Sequence, residues 1–122
     1  ITGVAVSKTG EVYFAGIRDS EKSVLYKYSA NGLKQWDRDY ESFSAVENIS
    51  KVICVEDRII FTGNTVLQSF ILTLNSGGNL IANKSLSRNL IITDIAMDLY
   101  GNLLIELLTD DILIIKNSGI NL

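Results

Sequence analysis

The feature that most constrains the fold is one short apolar segment that occurs three times. Ile1–Val6, Ile49–Cys54 and Ile92–Met97 each begin with Ile followed by Ser or Thr. The copies lie about 45 residues apart, which is the length of one small structural unit in a repeat protein. The chain is therefore expected to consist of repeated units that bury their apolar faces against each other.

Turn signals divide each copy into strand-like segments. Gly10 and Gly101 stand after the first segment, where a tight turn needs positive φ, and Asp57 fills that place in the second copy. Asn31-Gly32 and Gly77-Gly78 mark a later turn. The predicted third and fourth segments are Val24–Tyr28 with Leu33–Trp36, Phe70–Leu74 with Leu80–Asn83, and Ile112–Ile115 with a short Ile120–Leu122.

β-branched and aromatic residues fill these short segments, so the sequence predicts an all-β chain. We expect tandem four-stranded antiparallel β-propeller blades, about three in number with the last one truncated. The predicted blades are residues 1–44, 45–88 and 89–122. Propellers close with about four to eight blades. We therefore expect additional blades from a longer polypeptide or from another copy of the chain.

The first segments are expected to lie innermost, packed between neighbouring blades. Val4–Val6 and Ile95–Met97 are apolar on both faces. Blades at the ends of an incomplete ring would leave two apolar faces exposed, and large exposed apolar faces associate with other protein surfaces.

Two longer segments carry a family resemblance. Gly3–Gly16 is similar to the bacterial and archaeal seven-bladed-propeller repeat (SBBP-type), which reads roughly Gly-x-Ala-x-Asp-x-x-Gly-Asn-x-Tyr-x-x-Gly. Leu25–Trp36 resembles its Lys-Tyr-x-x-x-Gly-x-x-x-Trp segment. Ser7 and Glu11 stand where the family has Asp and Asn. The resemblance implies a propeller fold, and it implies no active-site residues because the family has no single catalytic motif.

Composition narrows the chemistry and the partners. The net charge is −3 with no Lys/Arg run, so no nucleic acid partner is expected. The absence of His removes the commonest general base and metal ligand. Cys54 is the single cysteine, aligns with Val6 and Met97, and is expected to be a buried apolar residue and not a nucleophile. No apolar run approaches the roughly 18 residues of a membrane span.

One repeat position is a candidate ligand site. Gly3, Lys51 and Asp94 occupy it, at the start of the innermost strand, where propeller ligands bind near the channel mouth. Lys51 and Asp94 come from adjacent blades and are expected to meet. They form either a functional charged pair or a plain surface pair that adds little stability.

Acidic residues of the third copy offer two further candidates. Asp98 opens the run Asp98–Asn102, which reads as a calcium loop or as an ordinary hairpin turn, and the turn is favoured. No cofactor is therefore expected, with calcium as the alternative. Glu106, Asp110 and Asp111 form a small acidic group around the second hairpin of this copy. It is either a pair of carboxylates for acid–base chemistry or a solvated turn at Asp110-Asp111, and the turn is favoured. Glu106 interrupts an apolar run and needs a partner if it faces inward.

Aromatic residues and two short motifs bear on binding. The aromatic cluster of the first copy either packs between blades or stacks on sugars; its members are Tyr26, Tyr28, Trp36, Tyr40 and Phe43. Asn48-Ile49-Ser50 and Asn83-Lys84-Ser85 match the glycosylation pattern, which places Asn48 and Asn83 as acceptors and favours a secreted or cell-surface protein.

These observations favour a non-enzymatic scaffold or recognition module that binds a protein or glycan on one ring face. One alternative is a propeller hydrolase or lyase with an acidic or calcium-dependent site at the central channel. Another is a propeller domain that gates access to a separate enzyme.

Overall fold

A computed structural model describes residues 3–19, 21–40, 45–87 and 89–116. Within these ranges the chain forms eleven β-strands and no helix, so the all-β prediction is confirmed. The strands form three antiparallel sheets, each in chain order. In the same ranges, no helical segment has the length and apolar character that crossing a lipid bilayer requires.

The first two sheets have four strands each and the third has three. The first sheet contains β1 (Gly3–Val6), β2 (Val12–Arg18), β3 (Lys22–Tyr28) and β4 (Lys34–Tyr40). The second contains β5 (Val46–Val55), β6 (Arg58–Thr65), β7 (Gln68–Asn75) and β8 (Leu80–Ser87). The third contains β9 (Ile92–Met97), β10 (Leu103–Leu107) and β11 (Ile112–Ile115). The sheets lie within the predicted blade segments 1–44, 45–88 and 89–122, whose last part, 117–122, lies outside the described residues.

The first turn of each sheet contains a residue with positive φ, which was predicted correctly in two of the three sheets. Gly10 and Gly101 have φ of +86° and +83°, as their turns require. In the second sheet the prediction for Asp57 was wrong, because the positive φ, +56°, belongs to Glu56. Val55 pairs with Arg58, so that turn holds two residues and its first one takes the left-handed conformation.

The fourth strands are longer than predicted. β4 continues past Trp36 to Tyr40, and β8 continues past Asn83 to Ser87. Cross-strand pairing extends them, since Ser23 on β3 still pairs with Tyr40. Strand length here is set by the partner strand as well as by local sequence.

The sheets stack face to face in chain order, with the second between the other two. We call the face that carries Val4, Val52 or Ile95 the front of its sheet and the opposite face the back. The back of the first sheet packs on the front of the second, and the back of the second packs on the front of the third. β1 lies against β5, and β5 lies against β9.

Two apolar clusters form the core. The cluster between the first and second sheets contains Tyr13, Ala15, Leu25, Tyr40, Val46, Ile49, Val52, Ile59, Phe61, Phe70, Leu72 and Leu74. The cluster between the second and third sheets contains Ile60, Ile71, Ile92, Ile95, Leu103, Ile105 and Leu107.

Both ends of the stack leave apolar side chains in solvent. Val4 and Val6 on the front of the first sheet are 58% and 61% exposed. Ile112 and Ile114 on the back of the third sheet are 62% and 48% exposed, and Ala96 beside them is exposed. Exposed apolar faces at the two ends were expected, since each end sheet has a described neighbour on one side alone. Packing of β1 and β9 between blades on both sides stays a prediction.

Candidate functional site

Lys51 and Asp94 meet across the second and third sheets. Lys51 lies on β5 and Asp94 on β9, and Lys51 Nζ is 3.3 Å from Asp94 Oδ1. Both side chains are about half exposed, so the pair contributes about 0–1 kcal/mol of stability. Asp94 Oδ1 also accepts the Ile95 N–H at 2.8 Å. The expected contact is present, and its role in ligand binding stays a prediction.

Gly3, the third residue at this repeat position, has a packing role. A Cβ at Gly3 would lie 3.1 Å from Val52 Cγ1, which is tighter than ordinary van der Waals contact. The first and second sheets approach closely there because the position carries no side chain.

Glu106 extends the charged surface at Asp94. Glu106 on β10 is directly opposite Asp94 in the strand register. It is exposed and accepts the Thr93 hydroxyl at 3.0 Å, so it does not point into the core. Like charges directly opposite each other on neighbouring strands repel, and Lys51 offsets part of this repulsion.

A shallow cavity of about 130 Å³ lies on the same face. Its lining combines these two carboxylates with apolar side chains. We call the back of the third sheet at this cavity the acidic-apolar surface, defined by Asp94, Ala96, Leu104, Glu106 and Ile112. The surface suits a partner group that has an apolar body and a positively charged or hydrogen-bond-donating end.

A second cavity, of about 190 Å³, lies between the first and second sheets and is lined by Glu11, Tyr13, Cys54 and Ser76 among others. Lys27 ties this region together, because its Nζ is 3.1 Å from Glu11 Oε2 and donates to the Ser76 carbonyl at 2.8 Å. Lys27 thereby links the two sheets.

Cys54 is partly buried beside the first core cluster. Burial raises the pKa of its thiol to about 11, and the nearby Glu11 carboxylate adds to the shift. The thiol is therefore protonated at neutral pH, in agreement with the expectation that Cys54 is not a nucleophile.

Alkylation of Cys54 by iodoacetamide should be about 100-fold slower at pH 8 in the folded chain than in the urea-unfolded chain. The reason is the thiolate fraction, since the pKa of the folded thiol is about 11 against an ordinary 9.0. The rate should rise about tenfold per pH unit up to pH 10, as followed by mass spectrometry. A rate that levels off near pH 9 would contradict the raised pKa.

Asp98 acts as a turn residue. Its Oδ1 accepts the N–H groups of Tyr100 and Asn102, both at 2.9 Å, and its Oδ2 accepts the Asn102 side-chain amide at 2.9 Å. These donors, led by the Asn102 side chain, lower the pKa of Asp98. Among the described residues no group of three His, Cys, Asp or Glu side chains is placed to hold a metal ion.

The remaining acidic candidates are solvated. Asp110 and Asp111 are exposed in the turn between β10 and β11, and Asp110 has φ of +68°. Thr109 donates its hydroxyl to Asp111 Oδ2 at 3.0 Å. Neither lies on the acidic-apolar surface, and their exposure agrees with the expected solvated turn.

The aromatic cluster is divided between two faces of the first sheet. Trp36 and Tyr40 pack towards the second sheet, with Tyr13 6.3 Å from Trp36 and Phe61 5.7 Å from Tyr40 between ring centroids. This agrees with the packing interpretation for those two. Tyr26 and Tyr28 lie on the open front, and Phe43 lies outside the described residues.

A network of charges on the front of the first sheet was not expected from the sequence. Arg18 Nη2 donates to Asp37 Oδ1 at 2.8 Å, its Nη1 is 3.2 Å from Asp39 Oδ1, and Lys34 also pairs with Asp37. The Lys34 and Arg18 cations lower the pKa of Asp37. Arg18 also lies 5.6 Å from the Tyr26 ring centroid. Charged residues alternate along β4, which could have indicated an ion-pair network in the sequence. Their partner Arg18 was not evident, because it lies 19 residues before Asp37.

The two glycosylation candidates are accessible. Asn48 lies on β5 and Asn83 on β8, and both are exposed. Both lie within strands, whereas acceptor asparagines are typical of surface loops. Their modification stays a prediction.

Comparison with known proteins gives one likeness in fold. No known family matches the chain, and neither does any curated protein. A solved structure of a protein of unknown function from Bacteroides caccae is similar with a TM-score of 0.57 at 18% sequence identity. The match covers 87% of this chain and 38% of that one. The chain thus spans well under half the length of that protein, and the likeness concerns the fold alone.

Proposed function

We propose that the three sheets are consecutive blades of a β-propeller, and that the molecule is a non-enzymatic scaffold or recognition module. One observation carries the blade assignment: both internal sheet interfaces join the back of one sheet to the front of the next. Phe14, Phe61 and Ile105 hold the same front position in the three sheets. A unit that stacks by one rule is the kind that a ring requires.

The open ends of the stack support further blades. Val4, Val6 and Phe14 on the front of the first sheet are apolar, as are the residues at the same positions on the buried fronts of the second and third sheets. A further sheet on this front would remove the exposed Val4 and Val6 from water. A further sheet on the back of the third sheet would do the same for Ile112 and Ile114. Additional blades, from a longer polypeptide or another copy, supply that cover. The longer Bacteroides caccae chain is compatible with this arrangement.

Several reactive groups are committed to structural contacts, which supports recognition over catalysis. Asp37 is held in ion pairs, Asp98 closes a turn, and burial keeps the Cys54 thiol protonated. The recognition surface we propose is centred on Lys51 and Asp94, where charge and exposure coincide. Lys51 stays 45% exposed although the third sheet packs on the back of the second, so we expect Asp94, at the equivalent position, to stay accessible when a further sheet covers Glu106. A protein or glycan outside the cell is the proposed partner, which the two accessible acceptor asparagines favour.

A glycan array probed with fluorescently labelled chain tests this function. Binding to defined glycans should be lost in Asp94→Ala and retained in Asp111→Ala, which removes an exposed carboxylate elsewhere. If no glycan binds, a displayed-peptide library should yield sequences with the same dependence on Asp94. Binding that is equal in both variants would contradict a site at Asp94.

The opposed carboxylates favour a second candidate, a propeller hydrolase with an acidic site. Asp94 and Glu106 face each other across two strands, and paired carboxylates support acid–base chemistry when their pKa values differ. The two functions separate in one assay. Any glycan that binds is incubated with the chain and analysed for cleavage products, which a recognition module leaves intact and a hydrolase releases.

A further inference from the structure

We propose that the acidic-apolar surface receives a basic side chain, Lys or Arg, carried by the sheet that packs on the back of the third sheet. The inference rests on the proposed stacking of further blades. It goes beyond that stacking because it specifies the chemistry that the next sheet must bring.

Burial in the other sheets shows what happens to this position when a neighbour is present. Ala15, Thr62 and Glu106 occupy the same back position in the first, second and third sheets. Ala15 and Thr62 are each 0% exposed. A sheet packed in the same way on the third sheet therefore buries Glu106. A buried carboxylate requires a cation or several hydrogen-bond donors.

The charges already present leave this requirement open. Two carboxylates, Asp94 and Glu106, lie opposite each other, and Lys51 pairs with Asp94 from the second sheet. The Thr93 hydroxyl is the partner that the described residues give to the Glu106 carboxylate. A hydroxyl donates one hydrogen bond and brings no charge. The surface therefore keeps a net negative charge that a basic group would neutralise.

The shape of the cavity favours a long basic side chain. Ala96, Leu104 and Ile112 provide apolar walls beside the two carboxylates in the space of about 130 Å³. Lysine and arginine have the matching form, since their methylene stems lie along apolar surface while their charged ends seek polar groups. Lys51 already bridges one sheet to the next through its ion pair with Asp94.

A second copy of the chain fits less well. Stacked by the same rule, it would present the front of its first sheet, whose Arg18 and Lys34 are held in ion pairs. Lys22 on that front lies opposite Arg18, three residues, or roughly 10 Å, along the strand from the level of Ala15. Glu106 would then face apolar groups. A different sheet, with its own basic residue at this level, is the occupant that the charges require.

Cyclic peptides that bind to the full, unmodified chain test whether the surface requires a positive charge. Two disulfide-cyclised β-hairpins with alternating valines are compared, one with a central Lys and one with norleucine, which has the same stem without the ammonium group. Binding is measured by amide shift changes in ¹⁵N-labelled chain. The Lys hairpin should bind about tenfold more tightly and shift Ala96 and Leu104. Glu106→Gln should reduce this preference to less than about twofold, and Asp111→Asn should leave it unchanged.

The outcomes separate the inference from the proposed function. Equal binding of both hairpins to the back of the third sheet overturns the inference and leaves the stacking of further blades intact. Failure of both hairpins to bind there overturns the inference and also counts against the proposal that further sheets pack on the exposed ends of the stack. Sedimentation that shows self-association, abolished equally by Val4→Lys and Ile114→Lys, assigns the surface to a second copy and also overturns the inference.

Discussion

Phe61→Ala is expected to lower the free energy of unfolding by about 3–5 kcal/mol. Phe61 is 0% exposed in the middle sheet, and its ring lies 5.7 Å from Tyr40 and 6.4 Å from Phe70 between centroids. Truncation removes the contact between the first and second sheets at its centre and leaves a cavity. Urea unfolding followed by the fluorescence of Trp36, the single tryptophan, measures the loss.

Phe14→Ala is the matched control for this substitution. Phe14 occupies the same position on the open front of the first sheet and is partly exposed. Its loss should cost less than half as much, because less of the ring is buried and solvent can fill the space. Equal losses for Phe14 and Phe61 would mean that the front of the first sheet is covered in solution and that the stack is not open there.

Gly78→Ala is expected to cost about 3 kcal/mol, from two causes that add. Gly78 has φ of +83°, which alanine adopts at a cost, and an added Cβ would lie 2.8 Å from Trp36 Cη2. The Gly78 carbonyl also accepts the buried Tyr40 hydroxyl at 2.7 Å, a bond that links the sheets. Because the substitution displaces this turn from Trp36, it should lower the urea midpoint of unfolding and change the emission maximum of Trp36 in the folded chain.

Gly32→Ala separates the two causes. Gly32 has φ of +88° in the corresponding turn of the first sheet, and a Cβ there would meet no atom within 4 Å. Its substitution should cost the backbone term alone, about 1–2 kcal/mol. The difference between the two variants measures how tightly the β7–β8 turn packs on the first sheet. A difference near zero would show that this turn does not hold the sheets together.

The strands and turns were largely predictable because they depend on local chemistry. Gly10 and Gly101 stand where a chain reversal needs positive φ, and both adopt it. Which of Glu56 and Asp57 has positive φ was not predictable, because the pairing of Val55 with Arg58 sets the length of the turn and thereby the position that is left-handed. The contact of Lys51 with Asp94 followed from their shared repeat position, since equivalent residues of stacked sheets lie close together.

What the sequence did not disclose depends on partners distant in the chain. The apolar alternation of Val4 and Val6 indicates a buried strand, yet their exposure is set by which sheet stands in front of them. The bond from Tyr40 to Gly78 joins residues 38 positions apart and uses a carbonyl, which has no side-chain signature. The acidic-apolar surface likewise needed the pairing of β9 with β10 to bring its two carboxylates together.

The missing side chain at Gly3 restricts how a protein of this kind diversifies by recombination. Replacing the first sheet with a duplicate of the second would bring a lysine to the point where even a methyl group is 3.1 Å from its neighbour. Such a duplicate fits only if Val52 shifts by a few tenths of an ångström. Transferring Gly3 together with Val52 keeps this close approach, so the junction between two sheets is expected to be a better unit of exchange than a single sheet.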